Sequence, residues 1–150
     1  MNLQMNMLDE AHLGSIGDIC FVNGKLVSVA EDSILKVFNI NKSKLTLVKT
    51  IEVPNCEPHS ISSNGIDKII LGGSKKTVDV HSFSGEINTE TFENPALAMK
   101  FQSEVSKVRF NGTKWVVGIS NDSHLSLFNT ETQQTIMCKP GHEGCSVKSG

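Results

Sequence analysis

The sequence predicts an all-β protein, a partial β-propeller of about three four-stranded antiparallel blades. Three observations carry that prediction. An Asn-Gly pair recurs at Asn23-Gly24, Asn64-Gly65 and Asn111-Gly112, at spacings of 41 and 47 residues. Each pair precedes an apolar run, a polar break and a second run of alternating side chains, over 25–39, 66–82 and 113–129. Helical periodicity is almost absent: the one candidate, 95–101, is too short to stand alone.

Asn-Gly between apolar runs signals a tight hairpin, because both residues accept positive φ. Each repeat therefore opens on an entering strand (16–22, 59–62, 105–110) and turns at Asn-Gly into a continuously apolar strand. The second strands include Leu26-Val27-Ser28-Val29-Ala30, Ile69-Ile70-Leu71 and Trp115-Val116-Val117, which suit burial on both faces. The third strands alternate and bring Phe38, His81 and Phe128 to one position. Six residues before these lie Asp32, Lys75 and Asp122, in the turn between the second and third strands. Closing strands are expected at 45–53, 87–92 and 134–138. The expected organisation is a tail over 1–11, blades over 12–54, 55–98 and 99–140, and the start of a further blade over 141–150. Three blades cannot close a ring, so the chain is expected to be a fragment of a longer protein or a truncated gene product, with a compact sandwich of degenerate repeats as the structural alternative.

Composition narrows the function classes. With 14 basic and 16 acidic residues the net charge is -2, unlike the basic footprint of a nucleic-acid-binding domain. Arg109 is the only arginine, which argues against direct base readout. Residues 1–10 lack a basic stretch followed by an apolar core, and no apolar run approaches membrane-spanning length. With these features, Cys20, Cys56, Cys138 and Cys145 are expected as free thiols in a reducing compartment. The sequons at Asn41, Asn111 and Asn121 then read as turn chemistry.

Catalytic and metal motifs are scarce. Cys138, His142 and Cys145 lie within eight residues and could hold zinc with a fourth ligand, but no second Cys pair accompanies them. The simpler reading is a strand-end Cys, a repeat-opening Gly-His and a strand Cys. Cys56 with His59 is weaker. Gly72-Gly73-Ser74-Lys75-Lys76-Thr77 lacks phosphate-loop spacing and precedes a strand, so a turn is expected. His12, His59, His81, His124 and His142 are scattered, and no nucleophile elbow or paired carboxylates stand out. Trp115, the only tryptophan, is expected in core packing. The lysines at 42, 44, 49, 68, 75 and 76 suit solvated edges better than a phosphate-binding patch. No cofactor, metal, membrane or small-molecule substrate is expected.

The repeats resemble the WD-repeat family, in which an Asp in the tight turn stands six residues before an aromatic closing the third strand. Asp32 with Phe38 and Asp122 with Phe128 match, and Gly141-His142 resembles the Gly-His that opens a following repeat. Phe-Asn stands where Trp-Asp is usual, and the middle copy has Lys75 and His81 instead. Short strings sharpen the resemblance: Ile19-Cys20-Phe21, Val80-His81-Ser82-Phe83, the run from Val108 to Lys114, and Thr130 to Gln134 followed by Gly141-His142-Glu143. In this order they are similar to the N-terminal region of the WD repeat and HMG-box DNA-binding protein family of replication scaffolds. That resemblance covers the chain from about residue 12 onward. It implies a nonenzymatic nuclear scaffold that links the replicative helicase to DNA polymerase alpha and supports sister chromatid cohesion on chromatin. A WD-repeat adaptor in ubiquitin ligation or RNA processing is the alternative. A lysine-dependent nucleic-acid binder and a Cys-His metal enzyme are the competing classes.

Overall fold

A computed structural model describes residues 14–53, 56–83, 96–138 and 145–149. The described chain is all-β and antiparallel, arranged as the blades of a partial β-propeller. Blade 1 orders β1 (Ile16–Val22), β2 (Lys25–Ala30), β3 (Ile34–Asn41) and β4 (Lys44–Glu52) side by side. Blade 2 repeats this with β5 (Pro58–Ser63), β6 (Lys68–Gly73), β7 (Thr77–Ser82) and β8 (Ala96–Lys100). Blade 3 contains β9 (Val105–Asn111), β10 (Trp115–Ser120), β11 (Leu125–Asn129), β12 (Gln134–Cys138) and β13 (Cys145–Ser149).

The Asn-Gly turns differ locally. Asn23 and Gly24 both adopt positive φ, 48° and 73°, and close a two-residue hairpin between Val22 and Lys25. At the other two sites only Gly65 and Gly112 are left-handed. Asn64 instead accepts hydrogen bonds at its Oδ1 from the backbone N–H groups of Ile66, Asp67 and Lys68, which stabilises a longer connection. The Asp turns of blades 1 and 3 match each other. Ser33 and Ser123 follow Asp32 and Asp122 at φ 60° and 69°. Each donates its N–H three residues back, to Ala30 and Ser120.

The strand registers repeat from blade to blade. Phe38 stands opposite Leu26, His81 opposite Ile69, and Phe128 opposite Val116. Blades pack face to face. Val27, Val29 and Leu35 of blade 1 meet Ile61, Ile69 and Leu71 of blade 2 in one buried core. Ile70 and Val78 from the other face of blade 2 meet Val105, Val108 and Val116 of blade 3 in a second. Each such aliphatic side chain contributes about 1.5–3 kcal/mol on full burial.

Two segments differ from expectation. Residues 96–100, inside the one helix candidate, form β8, because the free edge of β7 offers hydrogen bonds and Met99 is buried in the core shared with blade 3. The closing strand expected at 87–92 lies outside the described residues. Cys145–Ser149, expected to open a further blade, pairs antiparallel with β12 as the fifth strand of blade 3. Gly141 and His142 lie outside the described residues.

The glycines that end β6 answer to packing. A Cβ on Gly72 would lie 2.7 Å from Val105 Cγ1, and one on Gly73 would collide with the carbonyl oxygen of Glu57. The segment is a strand end held against neighbouring backbone.

Candidate interaction groove

Blades meet closely along β1, β5 and β9 and diverge toward their outer strands, as twisted sheets must. Small side chains on β8, Ala96 and Ala98, widen the gap between blades 2 and 3. The result is a cavity of about 540 Å³. Val80, Met99, Phe128 and Met137 supply its apolar walls. Lys68, Lys100, Thr130, Gln133 and Thr135 add polar ends. Among the described residues lining it there is no carboxylate. An apolar slot with a few polar groups and two ammonium ions has a lining able to take up an extended segment, and among its described lining residues no nucleophile is paired with a base.

The inner strands carry a polar knot across all three blades. Arg109 Nη1 donates to Asp18 Oδ2 at 3.0 Å and to Ser60 Oγ at 3.1 Å. Asp18 also accepts the N–H of Ile61 at 3.1 Å and of Ile19 at 2.9 Å. Burial opposes ionisation of Asp18, but these backbone bonds and Arg109 prevail and hold its pKa below the usual carboxylate value. Ser60 Oγ accepts the N–H of Val108, and Ser62 Oγ accepts that of Phe110, so the exposed edge of β9 is tied to blade 2 by side chains. Burial, with Asp18 adding and Arg109 opposing, pushes the Cys20 thiol up to about 12.

In blade 3, Ser120 Oγ donates to Asp122 Oδ1, and His124 Nδ1 lies 3.1 Å from the same oxygen. The Ser120 hydrogen bond lowers the Asp122 pKa to about 2 against partial burial, with His124 and Ser103 assisting. Asp122 sits between Ser120 and His124, and the serine is bonded to the carboxylate, so this is a turn lock and not a hydrolase triad.

The repeat positions singled out in the sequence divide by place. Asn23, Gly24, Asn64, Gly65 and Gly112 occupy turns between first and second strands, and Asn111 ends β9 at such a turn; Asp32 and Asp122 occupy turns at the other end. Of Phe38, His81 and Phe128, only Phe128 lines the groove; His81 is buried. Trp115 begins β10 half-exposed, between Asn111 and Asn129, and belongs to neither buried core. Lys75 pairs with Asp79 at 3.2 Å.

Cys20 and Cys56 are free, but Cys138 is disulfide-bonded, contrary to the expected free thiol. Cys145 stands directly opposite it in the β12–β13 ladder. Cross-strand register decides this more directly than compartment does. Among the described residues no group of three His, Cys, Asp or Glu side chains could hold a metal ion, and His142 lies outside them. No helix among the described residues is long and apolar enough to cross a membrane.

Sequence reasoning missed Lys68, Lys100, Met99 and Met137 as groove residues, and Asp18, Ser60 and Arg109 as a knot. The available signal was Asp18 itself, a carboxylate inside the otherwise apolar β1, with a single arginine to answer it. No family model matches the chain, and no curated protein matches it.

Proposed function

We propose that this chain is a nonenzymatic protein-interaction scaffold, a propeller segment of a nuclear DNA replication and sister chromatid cohesion factor. The observation that carries the scaffold reading is the groove between blades 2 and 3. It is an apolar slot of about 540 Å³ flanked by Lys68 and Lys100, suited to an extended partner segment. The replication assignment rests on the resemblance of the strings around Ile19-Cys20-Phe21, Val80 to Phe83 and Val108 to Lys114. Its partners on that reading are replisome proteins, DNA polymerase alpha and the replicative helicase among them, on chromatin, reached in the family mainly through parts outside this chain. The disulfide at Cys138 is the one feature that sits poorly with a reducing nucleus.

Two measurements on the full chain test this. Tagged chain should enrich on chromatin during DNA synthesis and recover replisome proteins; absence from chromatin throughout the cell cycle overturns the replication assignment. The K68E/K100E variant should lose the recovered proteins while keeping its fold. Unchanged capture by that variant overturns the groove as the binding surface.

A further inference from the structure

The Asn-Gly pairs carry a chemistry of their own. The glycine amide nitrogen can attack the carboxamide carbon, Cγ, of the asparagine before it. The Cγ–N bond forms, the Cγ–Nδ2 bond breaks, and Nδ2 leaves as ammonia with the proton that the glycine amide gives up. Water then opens the resulting succinimide at either carbonyl, leaving aspartate or isoaspartate, in which the main chain runs through Cγ. Glycine allows the attack because no Cβ shields its nitrogen. The rate then depends on whether the carboxamide and the amide N–H are free to meet.

Space does not separate the three turns: a Cβ on Gly24, Gly65 or Gly112 would meet nothing within 4 Å. Hydrogen bonding does. Asn64 Oδ1 accepts the N–H groups of Ile66, Asp67 and Lys68 at 2.9, 2.9 and 3.0 Å, and its Nδ2 donates to Asp67 Oδ1 at 2.8 Å. The Gly65 N–H, whose nitrogen would attack, donates to Ser63 Oγ at 2.7 Å. Both reacting groups of the middle turn are thus engaged. Asn23 and Asn111 are exposed, and among the described residues their carboxamides have no hydrogen-bond partner. The N–H groups of Gly24 and Gly112 have none among the described residues either.

We propose that Asn23 and Asn111 are sites of spontaneous deamidation and isoaspartate formation in the folded protein, and that the hydrogen bonds of the middle turn spare Asn64. The protected turn leads into the groove, since the third N–H held by Asn64 Oδ1 belongs to Lys68. Conversion at residue 23 acts on a junction. The Asn23 N–H donates to the Gly65 carbonyl at 3.2 Å, joining the turns of blades 1 and 2. Asn23 and Gly24 form a two-residue hairpin with both residues at positive φ, a turn that an extra main-chain carbon does not fit. Isoaspartate at 23 therefore loosens blade 1 from blade 2, without an enzyme and in one direction.

Ageing the full chain in mildly alkaline buffer, with and without guanidinium, tests this by peptide mass spectrometry. The readout is the exchange of –NH2 for –OH, with isoaspartyl and aspartyl peptides resolved by retention. In guanidinium all three asparagines should convert at similar rates, since each precedes glycine. In native buffer Asn64 should fall behind Asn23 and Asn111 by roughly tenfold, because several hydrogen bonds must break first. Ser63→Ala and Asp67→Ala, checked for fold by circular dichroism, should each speed Asn64 and leave Asn23 and Asn111 unchanged. Asn64 keeping pace in native buffer overturns the proposal. So does an absence of native conversion at Asn23 or Asn111, and so do two folded variants that leave the Asn64 rate where it was.

Discussion

Arg109 of blade 3 reaches Asp18 of blade 1 across the inner edge of blade 2, with Nη1 and Oδ2 3.0 Å apart. The pair is 91 residues apart in sequence, and Ser60 of the intervening blade bonds to both. A contact spanning three blades fixes their relative angle, which pairwise apolar packing leaves softer. A single guanidinium nitrogen of Arg109, Nη1, shares its two hydrogens among Asp18, Ser60 and the Val108 carbonyl.

The two partners should not be equivalent on removal. Arg109 is 47% exposed, so solvent screens it, and R109A should cost about 0.5–1 kcal/mol. Asp18 is 19% exposed and accepts two backbone N–H groups, those of Ile61 and Ile19, which its removal would leave without that acceptor. D18A should therefore cost about 1–3 kcal/mol. Urea denaturation of both variants and the double variant checks this; equal costs would place the whole effect in the ion pair.

Gly73→Ala should destabilise more than Gly72→Ala. The new methyl at 73 meets the Glu57 carbonyl, which is backbone and cannot step aside. At 72 it meets Val105 and Val108 side chains, which can shift within the core between blades 2 and 3. Overpacking of this kind costs about 1–3 kcal/mol. Thermal melts of the two variants order the costs, and a harmless Gly73→Ala would mean the β5–β6 edges do not approach as described.

Local pattern made much of the fold legible. Asn-Gly placed the hairpins, and period-two alternation placed Phe38, His81 and Phe128 in one register. Residues 96–100 were not legible as a strand, because Ala, Leu, Met and Lys favour helix in isolation and only the β7 edge decides otherwise. The groove was not legible either: its walls come from strands of two blades, and its width depends on sheet twist. The Asp18–Arg109 pair is set by long-range geometry that no spacing encodes.

The thiols should separate by reactivity. With its pKa near 12, Cys20 presents about one thiolate in ten thousand at pH 8, and only thiolate attacks an alkylating reagent. Iodoacetamide should therefore label Cys20 slowly in the native protein and quickly in denaturant. Cys138 should label only after reduction. Mass spectrometry of the labelled peptides reads both. Fast native labelling of Cys20 would show that β1 opens away from blade 2.

Asp122 should make the Asp-Ser turn of blade 3 acid-sensitive. Its folded pKa, about 2, lies below the ordinary value of 3.8, so the folded state favours the carboxylate. The stabilisation is complete above about pH 4 and fades as pH falls toward 2, because the unfolded state takes up the proton first. Asp18, also held low, acts in the same direction. D122N removes the charge while keeping an acceptor for Ser120, so its stability should fall less than that of the parent between pH 4 and 2. The decisive comparison is thus the acid limb, followed by urea midpoints at matched ionic strength. Parallel acid limbs for parent and D122N would mean that the turn is equally formed in the unfolded chain.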